Sequence, residues 1–279
     1  MTLDLSLIPD GGMSWLDASG PDSDIVLSTR VRIARNLQAK AFTVRAKPED
    51  LLDVREQVLA AMQESTAFEN AAVFNVDEMG RIERQLLHER HLISRELAGL
   101  DRQKQVRPGA TLLTNGELGV MVNEEDHLRM QSLQSGFDLL KAYRLLERFD
   151  TELGGRVPFA FHPEFGYLTA CPTNAGTGLR ASVLIHLPGL VLTKEIGKVL
   201  QGLSQVGLTF RGLYGEGSEV VGNFFQLSNP TTLGKSEEDL LDHLGSMVRQ
   251  VVDYEAQARE VLQTEAPAVI ADKVWRAYG

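Results

Sequence analysis

Residues 110–123, ATLLTNGELGVMVN, constrain the fold more than any other stretch of the chain. Asn115-Gly116 stands between two β-compatible runs, and this dipeptide accepts the positive φ values of a two-residue hairpin turn, so the runs are expected to pair antiparallel. Further strands are expected over 24–33, near Ala72 to Val76, within Phe159 to Leu187, and within Leu208 to Leu227 around a glycine-rich loop. Leu51, Leu52, Val58, Leu59 and Met62 are spaced for one helical face, which predicts a helix from Pro48, in its first turn, to about Gln63. Other helices are expected around Ile82 to Arg90, from about Ser135 to Leu153, over Thr193 to Gln205, and from Ser236, with Asp239 as its capping partner, to the end. Adjacent strands with hairpin links give an α+β fold, an antiparallel β-sheet flanked by helices, with a C-terminal helical tail.

At 279 residues and 43% hydrophobic composition the chain can bury a substantial core. No apolar run approaches the roughly 18 residues of a spanning helix, and the start MTLDLSLIPDGG lacks a basic n-region. A single cysteine cannot form an internal disulfide, so a cytoplasmic location is expected. The net charge of -10 argues against non-specific binding to nucleic acid or to an anionic membrane, so neither is expected as a partner. Any anion must then be held locally. Of the 28 basic residues 20 are arginine, a bias that suits bidentate oxyanion recognition and equally suits a plain compositional preference.

Position decides more than composition. In the strand 24–33, Ser28, Arg30 and Arg32 share one face while Thr29, Val31 and Ile33 share the other. Arg30, Arg32, Arg129, Arg180 and Arg211 each fall at or beside a strand end or loop among apolar or small residues. Singly, each reads as a structural or surface arginine; together they form a candidate polyphosphate clamp, in a chain without a GxxxxGK[ST] phosphate loop. His91 either packs on a base or is an ordinary partly buried histidine. The cluster NEEDH, residues 123–127, usually marks an exposed acidic turn, yet here it directly follows an apolar strand and precedes Arg129 by two residues. A carboxylate so placed could align a cationic acceptor and take its proton. In RGLYGEGSE, residues 211–219, the glycines suit either a segment that folds over a ligand, with Glu216 as a second carboxylate, or a plain flexible hairpin tip. In CPTNAGTGLRASV, residues 171–183, small residues let a ligand approach the backbone and Arg180 supplies a fork of donors; Cys171 is either a small buried residue or a border of the site.

DIVLSTRVRIARN, VNEEDHLRM, CPTNAGTGLRASV and RGLYGEGSE, in this order and at these separations, closely resemble the ATP:guanido phosphotransferases, the phosphagen kinase superfamily. The resemblance implies a catalytic domain over 24–235, after an N-terminal extension 1–23 and before C-terminal helices 236–279. It implies transfer of the γ-phosphoryl of Mg-ATP to a guanidinium nitrogen. The nucleotide would be lined by Ser28, Thr29, Arg30, Val31 and Arg32, by Arg129, by Arg180, Ala181, Ser182, Val183 and Leu184, and by Arg211, Gly212, Leu213, Tyr214, Gly215 and Glu216. His91 would lie beside the adenine. Glu125 and Glu216 would grip the acceptor guanidinium, with Cys171, Thr173 and Asn174 supporting nearby. Magnesium would be held mainly by phosphates and water, since no carboxylate set has obvious metal-ligand spacing.

ERHLIS, GLYGEGSE and ADKVWRAYG are similar to the branch of the superfamily whose acceptor is an arginine of a protein. The creatine and arginine kinases carry a helical domain ahead of the first arginine motif, which here begins at residue 24, and this favours a protein side chain as acceptor. The implied partners are proteins presenting arginine, an activating partner, and the protease or chaperone machinery of protein quality control. Two other functions stay open at this point: a kinase of free arginine or another small guanidino compound, and a non-catalytic nucleotide-binding adaptor in protein quality control. The family's further helical segment, beyond a WRAYG-like stretch, has no counterpart in these 279 residues.

Overall fold

The computed structural model describes residues 3–69, 71–100, 105–211 and 221–279. In chain order the elements are β1 (Val26–Arg35), α1 (Pro48–Gln63), β2 (Ala72–Asn75), α2 (Arg81–Glu89), β3 (Thr111–Thr114), β4 (Leu118–Val122), β5 (Leu128–Ser135) and α3 (Leu139–Gly154). They continue with β6 (Phe161–His162), β7 (Gly166–Tyr167), β8 (Leu179–His186), α4 (Pro188–Leu192), α5 (Ile196–Gln205), β9 (Thr209–Arg211), β10 (Phe224–Ser228), α6 (Glu237–Glu265) and α7 (Pro267–Tyr278). Eight strands form one sheet in the order β2-β3-β4-β5-β1-β8-β10-β9, and β6 and β7 form a separate hairpin. Every strand pair in the large sheet is antiparallel.

The expected hairpin forms, but its turn falls one residue later, at Gly116-Glu117: Gly116 takes φ 96°, whereas Asn115 flanks the turn, its amide donating to Leu118 O at 3.2 Å and its Oδ1 accepting from the Leu118 amide at 2.8 Å. Helix α1 starts at Pro48, and Asp50 caps its first turn by accepting from the Lys47 amide at 3.0 Å.

Two other expectations needed correction. The helix expected from about Ser135 begins only at Leu139, as α3 capped by Asp138, and residues 128–135 before it form the strand β5. Arg129, Gln131, Ser132 and Gln134 obscure its alternation because the sheet is polar on parts of both faces there. On the inner face Gln134 Nε2 donates to Ser132 Oγ at 3.2 Å, which satisfies polar groups in a buried strand. The helix expected over 193–205 begins only at Ile196, as α5, and a separate short helix, α4, precedes it; the two are kept apart where Lys194 takes φ 63°, a left-handed conformation that a helix interior excludes.

One face of the sheet is covered along its length. Val31, Ile33, Val120, Met130, Ala181, Val183 and Leu227 point into a core shared with Val54 and Val58 of α1, Leu146 and Phe149 of α3, and Leu244 and Val248 of α6. Helix α6 is tied in further by Glu255, wholly buried, which accepts from the amides of Gly189 and Leu190 at 2.8 and 2.9 Å and from Arg259 Nε at 2.7 Å. On the opposite face a second cluster, in which Phe74, Leu112 and Met121 meet Ile8, Leu87, Leu92 and Leu97, covers β2, β3 and β4, and Ser14–Leu16 packs over part of β1 and β5. Beyond that cluster, over β5, β1, β8 and β10, the outer face lines a cleft. Among the described residues no helix is long and apolar enough to cross a membrane.

Candidate active site

Strand periodicity assembles the basic wall of this cleft. Side chains two apart on a strand share a face, and so do residues paired across neighbouring strands. Arg32 pairs with Arg180 of β8 on one side and with Gln131 of β5 on the other, Arg30 pairs with Ser182, Ala34 with Arg129, and Gln226 with Arg211. Arg30, Arg32, Arg129, Arg180 and Arg211, drawn from four strands, therefore line one cleft of about 650 Å³. Burial, with Arg129 and Arg180 close by, pushes the Arg30 guanidinium down to about 10. Burial and then Arg30, Arg129 and Arg180 push Arg32 well below its ordinary value, with Glu124 opposing. Arg32 Nε is buried with no hydrogen-bond partner among the described residues. Half-buried like charges at this density suit an anion.

The acidic wall comes from the turn between β4 and β5. Asn123 adopts φ 57°, and its side chain donates to Leu51 O at 2.8 Å, which fixes the turn against α1. Glu124 is wholly buried; it accepts from Arg129 Nη1 at 2.8 Å, from Ser94 Oγ at 2.5 Å and from the Glu125 amide at 2.7 Å. Burial opposes its ionisation, but Arg129 and these hydrogen bonds outweigh burial and hold its carboxyl below the usual range. Glu125 is different. Its side chain is 37% exposed to the cleft. Burial raises its carboxyl above the usual range, Arg129 opposes, and Glu124 and Asp126 add to the rise. Arg129 Nη2 and Asn174 Nδ2 both donate to Glu125 Oε2 at 3.3 Å.

The last two residues of NEEDH are structural. Asp126 Oδ1 accepts from Asn36 Nδ2 and from the Ala170 amide, both at 2.6 Å, so it ties the loop before Cys171 to the end of β1. His127 is buried; its Nδ1 accepts from the Leu37 amide at 3.1 Å, so its Nε2 carries the hydrogen donated to Ala41 O at 3.0 Å. Burial lowers its pKa, consistent with a neutral ring.

Cys171, Thr173 and Asn174 line the cleft on the side of Glu125, and Cys171 Sγ lies 3.0 Å from Thr173 Oγ1. Ser28, Ser182 and Leu184 line a narrow extension of the cleft together with His91. The side chains of Thr29, Val31, Ala181 and Val183 do not reach it. They face the helices: all four are wholly buried, and Thr29 Oγ1 donates to Gly136 O at 2.7 Å. The period of a strand sends only alternate side chains to the cleft, so a nucleotide would meet these four only through their backbone. Gly212, Leu213, Tyr214, Gly215 and Glu216 lie outside the described residues.

Residues not singled out from the sequence also line the cleft, among them Gln131, Gln226, Arg95 and Glu96. Gln131 would have been found with β5, because it falls two residues after Arg129. Its Nε2 donates to the carbonyls of His91 and Leu92 at 2.9 and 3.1 Å and sets the turn that carries His91. Glu96 pairs with Arg107 Nη2 at 3.0 Å, and nothing in the local sequence announces that pair.

Guanidinium groups ranked along one wall, facing a half-exposed carboxylate, are the layout of an enzyme that transfers a phosphoryl group. Residues 53–258 match the ATP:guanido phosphotransferase C-terminal catalytic domain, and the chain belongs to that family. It is 44% identical over 268 residues to a protein-arginine kinase of Bacillus cereus (strain AH187), an alignment that covers 95% of this chain and 74% of that protein. Among solved structures it is similar to the duplicated taurocyamine kinase of Schistosoma mansoni with bound transition state analog components, with a TM-score of 0.75 and 27% identity over 91% of this chain. The chain spans 35% of that duplicated protein. A lombricine kinase shares the fold, with a TM-score of 0.74 and 23% identity, over 94% of this chain and 72% of the other.

Proposed function

We propose that the protein transfers the γ-phosphoryl of ATP to a guanidinium nitrogen of arginine side chains in proteins. The observation that carries this reading is the single cleft in which Arg30, Arg32, Arg180 and Arg211 line the same space as Glu125. The 44% identity to proteins named protein-arginine kinase supports the choice of acceptor.

A guanidinium with a pKa above about 12 is cationic and a poor nucleophile. Transfer needs it aligned with the phosphorus and relieved of a proton as the N–P bond forms and the bond to the ADP oxygen breaks. The Glu125 carboxylate is the group placed to orient the acceptor and take that proton, and the rise in its pKa suits it to hold one. The arginine wall offsets charge on the transferring group and on the departing ADP. In this proposal Glu216, which follows Arg211 by five residues, is the second carboxylate on the acceptor.

Magnesium enters as part of the substrate, Mg-ATP. Among the described residues no group of three or more His, Cys, Asp or Glu could hold a metal ion, and Glu124 is already committed to Arg129 and Ser94. The donors of the cleft suit phosphate oxygens, so the metal would be held through phosphates and water. An activating partner, protease or chaperone machinery of protein quality control, and a cytoplasmic site of action belong to the same proposal and rest on the resemblance alone.

The test is incubation with Mg-ATP and an arginine-containing test protein, followed by mass spectrometry at neutral pH so that the acid-labile P–N bond survives. Phosphorylated arginine in the test protein is the expected result. ATP consumption with free arginine and none with protein would make the enzyme a small-guanidine kinase; ATP binding without turnover on either would make it an adaptor.

A further inference from the structure

We infer that Trp15, contributed by the segment before β1, is a nucleobase-reading residue whose indole N–H donates to the base of the bound nucleotide. The inference rests on the reading of the cleft as a nucleotide site. Trp15 lies outside residues 53–258 that match the family domain. Its side chain forms one wall of the narrow extension of the cleft, together with Ser28, His91, Ser182, Leu184 and Gln226. The residue is 7% exposed, and its Nε1 is buried with no hydrogen-bond partner among the described residues. A buried indole N–H without a partner is costly and uncommon, because tryptophan usually satisfies this donor when it is buried. Here the residue borders a pocket of about 20 Å³, so a base would enter it by an edge and close onto the indole.

The segment is held where it is by close packing. A Cβ on Gly20 would come within 1.8 Å of Ser135 O, so the chain passes against the end of β5 as only glycine permits. The Phe137 amide donates to Pro21 O at 2.7 Å, and the Arg90 guanidinium donates to Gly11 O. The Trp15 and His91 rings meet edge to face at 5.0 Å between centroids. His91 itself is held by Gln131 and kept neutral, its pKa pushed down to about 3 by burial first and then by Arg30, His88 and Arg32.

These groups are what a purine requires. Leu184 and the two rings offer apolar surface to the edge that enters, while Arg30 and Ser28 lie on the side of the arginine wall where the phosphates would run. A base carries ring nitrogens that accept in its plane, and inorganic polyphosphate does not. The indole donor thus adds selectivity for a nucleotide over a bare polyphosphate, at a point remote from the chemistry.

The test compares affinities of wild type and Trp15→Phe for Mg-ATP, ribose 5-triphosphate and inorganic tripolyphosphate. Phenylalanine keeps an aromatic wall and removes the N–H. The expected result is a loss of about three- to tenfold for ATP, the range for one net hydrogen bond, with the two base-free ligands unchanged. Unchanged ATP affinity, or an equal loss for all three ligands, overturns the inference. If wild type binds none of the three, the nucleotide reading of the cleft fails first, and the inference with it. Should Trp15→Phe fold poorly, Trp275→Phe leaves Trp15 as the sole indole, since the chain has two tryptophans and Trp275 is 69% exposed on α7. Its fluorescence should then shift with ATP and not with tripolyphosphate; identical responses to both overturn the inference.

Discussion

Arg32 of β1 and Arg180 of β8 are directly opposed across a strand pair, with Arg30 two residues away on the same face. Like charges set opposite one another destabilise a sheet. A bound anion, as proposed for this cleft, would offset that repulsion.

The first prediction tests that relation. Arg32→Met keeps the apolar stem and removes one half-buried charge, so without ligand the variant should be as stable as wild type or more stable by up to about 1 kcal/mol. Its affinity for Mg-ATP should fall about 10- to 100-fold, the loss of charge-assisted hydrogen bonds. Thermal unfolding with and without tripolyphosphate reads both effects. Wild type should gain about 2.7 kcal/mol at a hundred times its Kd, and the variant about 0.4 to 1.4 kcal/mol at that concentration. A variant that is less stable and binds equally well would make Arg32 a structural residue.

Glu125 and Glu124 are adjacent in sequence and opposed in role. Glu124 is buried and bonded on both carboxylate oxygens, whereas Glu125 lines the cleft and is partly exposed to it. Glu125→Gln should therefore fold normally, keep its ATP affinity within a few-fold, and lose about 10²- to 10⁴-fold in turnover. Glu124→Gln should instead lower stability, by about 3 kcal/mol, because Arg129 is left without its buried partner. Denaturant titration of both variants, with single-turnover phosphotransfer, separates the two roles; near-normal turnover in Glu125→Gln removes it as the base.

The sheet and its site were unequally legible in the sequence. Strands with clean alternation, such as β1, and the hairpin around Gly116 follow directly from local chemistry, and Arg30 and Arg32 could be placed on one face before any coordinates. Strand β5, which carries Arg129, is not legible in the sequence, because its polar residues are satisfied by partners that only tertiary structure supplies. Gln131 finds the carbonyls of His91 and Leu92 some forty positions earlier. Trp15 meets His91 through a chain crossing sealed by Gly20 and Gly136, and no periodicity reports a crossing. Motif spacing located the arginines one strand at a time; the register between strands turned them into a wall.

His91 supplies a prediction in pH. The unfolded chain protonates this ring below pH 6.5, whereas the folded chain resists protonation down to about pH 3, so the unfolded state binds more protons in that window. The stability His91 contributes is present above pH 6.5 and is lost as pH falls, with a slope of up to about 1.4 kcal/mol per pH unit. Carboxyls whose pKa is raised, such as Asp150 and Asp126, act in the opposite sense, so the comparison must be with a variant. His91→Asn suits the backbone, since φ is 59° there and asparagine accepts the left-handed region. Urea titrations of both proteins at pH 7 and pH 5 should show a smaller loss of stability on acidification in His91→Asn. Parallel losses would show that His91 does not resist protonation.

Helix α6 begins at Glu237, close to the last strand, and its inner face completes the core beneath β8. Glu255 at its centre binds the first two amides after Pro188 and the guanidinium of Arg259, which in turn donates to His186 O at 3.2 Å. The helix thereby holds the end of β8, the strand that bears Arg180. Glu255→Ala leaves two buried amides and a guanidinium unpaired, and the expected cost is about 3–5 kcal/mol of stability. Because the lesion is remote from the cleft, turnover per folded molecule at low temperature should stay within a few-fold of wild type. A stable variant with impaired turnover would show that α6 controls the arginine wall rather than merely supporting it.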